Sequence, residues 1–424
     1  MRNFSLGILS VGNVFLAFTF LWLIITYLGS GVESDAFFLG LTLSQTIISI
    51  IGACINNVLT PIFSTLGNVD LRRTTGDFLL LIFCTMVTST LLMQIYSLEI
   101  IGLLGLGMSD TGQRLAGELL KVVILSVPLQ TLAQVQMSNL YARNRFCTSE
   151  SCILISNFSA VAFLTICLPT AGIEAAAWAV LVRHAVHVFC VSFYSKVSFR
   201  TDIDTTTLIL AWHRAKHLLV AGIYSKSDKV VDKFFASSAV PGTITLLHLV
   251  QQAYGAGHQV INRVLVTPVV PKLVVLRANS NRSGYEAVFQ RHLLVVFFIG
   301  AIGLVTIVFF GEQILTLLAH YGAFEKASVT QLWLLMVLCG GYCVMPPCGF
   351  LLASRFYSLG DTILPTRAGL ISTSIGLIAK VVLFYYLGVE GLAIGISLHY
   401  TFTVAILSFY ALKPHPSWSA LESE

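Results

Sequence analysis

The sequence predicts an all-α polytopic membrane protein of about twelve transmembrane helices in two parallel six-helix lobes. Three observations carry that prediction. Mean hydropathy is +0.84 over 424 residues, and apolar runs of about 20 residues recur from end to end, long enough to cross a hydrocarbon core. Positive residues concentrate in alternate loops. The two halves of the chain repeat one another in order. Backbone groups in lipid must be satisfied within the chain, and these runs lack the alternation of barrel strands, so the spans are helices.

Taken in order, the apolar segments fall at about 7–28, 36–62, 78–96, 119–140, 151–169, 173–194, 217–238, 244–270, 292–311, 329–352, 366–387 and 389–411. The first opens with "MRNFSLG" and has no small-residue cleavage site at a signal-peptide distance, so it reads as a retained span. Sixteen of the 25 Lys and Arg residues lie in alternate loops and termini, against two, Arg114 and Lys326, in the others. By the positive-inside rule both termini are cytoplasmic. "GIEAAAWAVLVRHAVHVFCVSFY" (172–194) aligns without gaps to "GVEGLAIGISLHYTFTVAILSFY" (388–410), with seven identities in 23 positions. "SDAFF" (34–38) answers "VDKFF" (231–235), and "INNVLTP" (55–61) answers "INRVLVTP" (261–268). Each lobe holds an even number of spans, so the repeats are parallel, the arrangement in which transporters place substrate between lobes. The expected organisation is a first lobe over 1–195, a basic cytoplasmic linker over 196–216, a second lobe over 217–412 and a cytoplasmic tail over 413–424. "LILAWHRAKHLL" within the linker reads as an interfacial helix, its apolar and basic residues sharing helical spacing.

Several function classes are disfavoured. A formal charge of +5 could suggest nucleic acid, but the basic loops are short and carry no DNA- or RNA-binding motif. The nine cysteines have neither disulfide nor zinc spacing and read as small buried hydrophobes. No phosphate-cradling loop, metal constellation or nucleophile triad is visible, which argues against an enzyme and against a bound cofactor.

Seven basic residues remain inside spans: Lys121, Arg183, Lys226, Lys229, Lys233, Arg263 and Lys380. On a helical wheel Lys226, Lys229 and Lys233 share about 160° with Asp228 and Asp232. Charges at membrane depth persist when they line water, pair, or meet a charged ligand. Ion pairing between Lys229 and Asp232, with snorkelling at the ends, is the ordinary account. Two carboxylates, however, cannot neutralise three lysines, and the excess suits an anionic substrate head. Candidate substrate ligands are therefore Lys226, Lys229, Lys233, Lys380, Arg263, Arg183, Gln252 and Asn56, with Asp228 and Asp232 as carriers of a coupling proton or sodium ion. His184 and His187 cluster beside Arg183, and His399 occupies the position of Arg183 in the second repeat. They read as packed polar contacts or as a proton relay.

Four stretches, "SDAFFLGLTL" (34–43), "VDKFFASSAVPGTITLL" (231–247), "HYGAFEKASV" (320–329) and "RFYSLGDTILPTR" (355–367), resemble the MurJ (MviN-like) lipid II flippases of the MOP exporter superfamily, which also holds polysaccharide-unit flippases and MATE exporters. The resemblance implies a MOP/MATE-like fold and alternating access. It also implies a polyprenyl-pyrophosphate-linked saccharide as substrate, moved from inner to outer leaflet of a bacterial cytoplasmic membrane. Membrane lipids and envelope-biosynthesis proteins are the expected partners. Span 1 lacks the family's arginines, "SQTIIS" (44–49) replaces a PNLLRR-like segment, and Gln252 stands where the family pattern has a span-8 arginine. The expectation is that span 7 has taken over the cationic function. The alternatives are a cation-coupled MATE-like drug exporter, which would want an acidic cavity, and a scaffold for an envelope complex.

Overall fold

The computed structural model describes residues 2–197 and 205–413. The elements are α1 (Arg2–Leu28), α2 (Val32–Ser64), α3 (Asn68–Ile95), α4 (Ser97–Leu104), α5 (Asp110–Val123), α6 (Ser126–Ala142), α7 (Phe146–Ser195) and α8 (Thr205–Ser237). These are followed by α9 (Thr243–Ile261), a π-turn at Asn262–Val266, α10 (Val269–Ala278), α11 (Arg282–Ala319), α12 (Lys326–Leu338), α13 (Gly340–Ser358) and α14 (Ile363–Ala411). Among the described residues eight helical segments are long and apolar enough to cross a membrane, and the bent pair of α12 and α13 makes a ninth. Both α7 and α14 are two helices joined across a kink, and the more polar α8 lies outside that set; counting each half of α7 and α14 and adding α8 gives the twelve helices of the expected fold.

Two compact units divide the chain. The first takes residues 1–245 with Tyr321–Phe324, the second Leu246–His320 with 325–424. In the first, α2 packs against α5, α6 and α8, and its core joins Ile55, Val58, Leu59 and Phe63 to Phe78, Val135 and Ala211. In the second, α13 packs against α11 and α14, with Tyr285, Phe289, Cys348, Leu351 and Phe356 in its core. Phe298, Ile302, Phe309 and Leu317 of α11 stay on the surface, as an acyl-chain environment permits.

The repeat is written into the backbone. α7 breaks at Gly172 (φ 54°, ψ −138°) and α14 at Gly388 (φ 59°, ψ −136°), the two glycines that open the aligned stretches. The turns ahead of these helices also match, with Asn144 at φ 57° and Gly360 at φ 83°.

One expected element differs. "LILAWHRAKHLL" is no separate interfacial helix but the first half of α8, whose 33 residues span about 50 Å. Ala211 is buried against α2, and Leu208, Ala215 and Leu219 pack beside it, so one face of this segment is a packed face. Residues 198–204 of the expected linker, and all of the tail after Lys413, lie outside the described residues.

A Cβ at Gly172 or Gly388 would meet nothing within 4 Å, so its cost is backbone strain alone, about 1–2 kcal/mol. At Gly391 it would strike the Leu383 carbonyl. Thermal unfolding in detergent should therefore rank Gly391→Ala as more damaging than Gly172→Ala or Gly388→Ala, with the latter two alike.

Candidate functional site

The charged stretch of α8 divides into a buried and an accessible part. Asp228 is 6% exposed, Asp232 2% and Lys233 0%, whereas Lys226 is half-buried and Lys229 exposed. Lys233 donates from Nζ to the Ile244 carbonyl at 3.1 Å and lies close enough to Asp35 to act on it electrostatically.

Asp35, from the first turn of α2, organises this corner. Its carboxylate accepts from Gly242 N at 2.6 Å and from Thr245 N and Oγ1, both at 2.7 Å. Those amides open α9, where helical geometry leaves N–H groups without intrahelical acceptors, so α2 supplies the cap that α9's own sequence lacks. The negative charge also answers the positive end of the helix. Ser34 closes the preceding turn by accepting from Gly31 N at 2.9 Å, while Ala36, Phe37 and Phe38 have no exposed surface. Glycine permits the neighbouring loops to meet: a Cβ at Gly29 would lie 2.6 Å from the Ala323 carbonyl, and one at Gly242 3.0 Å from that of Ser30.

A second network joins α6 to α7. The Gln130 Oε1 atom can only accept, so His184 (2.9 Å) and His187 (3.0 Å) both donate to it from Nδ1. His184 Nε2 then carries the lone pair that accepts from Arg183 Nη2 at 3.1 Å, which fixes His184 as the neutral Nδ1–H tautomer. Nearby in the same unit, Asn56 Nδ2 donates to Gln134 Oε1 at 3.2 Å, and Asn56 Oδ1 accepts from Ser138 at 3.1 Å.

Within the second unit Gln252 Nε2 lies 3.3 Å from His248 Nε2, and His258 donates to the Cys343 carbonyl at 3.1 Å. Arg263 sits exposed in the π-turn after α9. Lys380 has no exposed surface. The two halves of α14 interlock there: a Cβ at Gly395 would lie 2.8 Å from Lys380 Cγ, and one at Gly376 2.5 Å from His399 Nδ1. Each glycine makes room for the long side chain opposite.

Of the residues expected from sequence, Asn56, Arg183, Lys226, Asp228, Lys229, Asp232 and Lys233 belong to the first unit, and Gln252, Arg263 and Lys380 to the second. Lys233 and Lys380, both expected to line water, are enclosed in this conformation. Asp35, Gln130 and Gln134 were missed by the sequence reading. An acid in the first turn of an apolar span, inside the recurring SDAFF motif, and glutamines four apart within "PLQTLAQVQ" were the available signals.

Removing the Asp35 carboxylate leaves two backbone donors and the Lys233 ammonium buried without it, a loss on the order of 3–5 kcal/mol. Asp35→Ala should lower the thermal midpoint far more than Lys233→Met, which keeps the cap and replaces the ammonium with an apolar chain of similar length. Equal midpoints for wild type and Asp35→Ala would refute the capping role.

Comparison with known proteins gives a consistent picture. No curated protein sequence matches the chain. A solved lipid II flippase MurJ in an inward closed conformation superposes with TM-score 0.84 at 18% identity, covering 97% of this chain and 89% of that one. An inward-facing MATE-family multidrug resistance transporter of the MOP superfamily gives TM-score 0.75 at 15% identity, covering 98% and 99%. A MOP superfamily transporter from Pyrococcus furiosus, described by the reversed polarity of its binding pocket, gives 0.67 at 14% identity, covering 99% and 96%. At such identities these likenesses establish the fold. The family model described as "Lipid II flippase MurJ" matches residues 24–422, nearly the whole chain, and the protein is therefore a multi-pass membrane transporter belonging to the MurJ family.

Proposed function

We propose that this chain flips a polyprenyl-pyrophosphate-linked saccharide from the inner to the outer leaflet of a bacterial cytoplasmic membrane by alternating access, with both termini cytoplasmic. The observation that carries the proposal is exposed Lys229 beside half-buried Lys226 on α8, a helix whose three lysines outnumber the two acids between Lys226 and Lys233. An exposed lysine at this depth is costly unless it meets water or an anion. A pyrophosphate supplies several oxygens to such a pair, while its prenyl tail stays among acyl chains.

In this reading Lys226 and Lys229 receive the head. Lys233, Arg183 and Asn56 of the first unit, and Gln252, Arg263 and Lys380 of the second, are the further polar ligands proposed, the two enclosed lysines only in a conformation that uncovers them. Asp228 and Asp232, buried beside the lysines, are the carriers proposed for a coupling proton or sodium ion. With the cytoplasm negative, outward movement of an anion gains about 2.3 kcal/mol per charge per 100 mV, enough to bias transport without nucleotide hydrolysis.

The fold shared with MATE transporters makes cation-coupled export of a drug the rival reading. It predicts a site dominated by carboxylates. Here α8 carries three lysines and two acids between Lys226 and Lys233, which favours an anionic ligand. A scaffold without transport is the other alternative.

Losing one charge-assisted hydrogen bond to phosphate costs about 1.5–3 kcal/mol, or roughly 10- to 100-fold in affinity. Lys229→Gln combined with Lys226→Gln should abolish rescue of a flippase-depleted bacterial strain and leave lipid-linked intermediates on the inner leaflet. Arg114→Gln, which alters an exposed charge elsewhere, should rescue fully. Full rescue by the double lysine variant would refute the proposal, and cationic-drug efflux by the wild type without lipid flipping would favour the exporter.

A further inference from the structure

Arg72, Arg143 and Arg145 form a cluster that the transport site does not use. Arg143 caps the C-terminus of α6, Asn144 follows in a left-handed conformation (φ 57°), and Arg145 precedes the first turn of α7. The Nε and Nη2 atoms of Arg143 are enclosed by protein, and no group accepts from either. Those two nitrogens form one edge of the guanidinium, the edge that grips an oxyanion through parallel hydrogen bonds. The charged groups acting on Arg143 are Arg72 and Arg145, both positive. Burial first, and then these like charges, push its pKa down from the ordinary arginine value, as expected for a cation lacking a counter-ion.

The second unit has a contrasting arrangement at the matching place. α3 follows Gly67 and α11 follows Asn281, and the fifth helical residue is Arg72 in the former and Glu286 in the latter. Glu286 clasps Arg355 through two hydrogen bonds of 2.7 Å each, and the Arg355 guanidinium also lies 4.7 Å from the Phe289 ring centroid. The second unit therefore provides its own oxyanion. With arginine at the position of that acid, the first unit gathers guanidinium groups instead.

We propose that Arg143, together with Arg72 and Arg145, binds a phosphate oxyanion at this end of the first unit. Arg72 and Arg145 are exposed, so the cluster is reachable from solvent or headgroups. Turning the Arg143 edge outward sacrifices no hydrogen bond from Nε or Nη2 and creates two. Charge asymmetry assigns this end to the cytoplasm, where two sources offer the same chemistry: the phosphodiester of an anionic phospholipid and free inorganic phosphate.

The test uses the full-length chain in nanodiscs of phosphatidylglycerol or of phosphatidylcholine, the latter with and without millimolar inorganic phosphate. Thermal midpoint and lipid retained in native mass spectrometry are the readouts. Phosphatidylglycerol should raise the midpoint of the wild type and of Arg114→Gln, and Arg143→Gln should erase the rise and retain about 10-fold less lipid. A rise with inorganic phosphate in phosphatidylcholine, dependent on Arg143, would assign the site to free phosphate; a rise with phosphatidylglycerol alone would assign it to lipid. Arg143→Lys keeps the charge without the paired nitrogens and should bind weakly. Should Arg143→Gln fail to fold, the surface variants Arg72→Gln and Arg145→Gln must each weaken binding. Wild-type responses in Arg143→Lys or in the surface variants, or no response of the wild type to either phosphate source, would overturn the proposal.

Discussion

A charge enclosed among apolar helices has to be answered by the protein itself, and the first unit depends on one such answer. Asp35 meets the opening amides of α9 and the nearby Lys233 ammonium together, so one carboxylate offsets a helix terminus and a lysine that would each be costly alone. The consequences spread through the neighbouring loops, which approach at Gly29 and Gly242 more closely than side chains would allow. They also divide the labour along α8. Lys233 is enclosed within the unit, while Lys229 is exposed and Lys226 half-buried.

Much of the fold was legible because its causes are local. Apolar length sets the spans, and the expected span boundaries at 169–173 and 387–389 fall where α7 and α14 break, at Gly172 and Gly388. The continuity of α8 was less legible: the bases around His213 look interfacial in one dimension, yet Ala211 and its neighbours on the same turns are packed against α2. Asp35 was harder still. Its hydrogen-bond partners lie 207 and 210 residues away, and no periodicity within α2 reveals a donor at the start of α9. The Gln130 network has the same character, since a glutamine in a span signals a polar contact without naming the partner.

The repeats share backbone geometry while differing in polar chemistry. Gly376, Lys380, Gly395 and His399 interlock within α14, whereas the positions 216 residues earlier hold Ala160, Leu164, Ala179 and Arg183. Near the starts of α3 and α11 an arginine in one copy stands in the place of a glutamate in the other. Duplicated helices thus retain their turns, which steric limits dictate, and vary the charges those turns present. That freedom is consistent with a family member in which cationic residues are absent from span 1 and concentrated on α8.

Anion recognition by the α8 lysines is tested most directly by binding of a polyprenyl pyrophosphate and of the uncharged polyprenol to the purified chain across a range of salt concentrations. It predicts that the pyrophosphate binds at least about 10-fold tighter, that salt erodes the difference, and that Lys229→Gln removes most of it without altering polyprenol binding. Equal affinity of the wild type for the charged and uncharged lipids would contradict it.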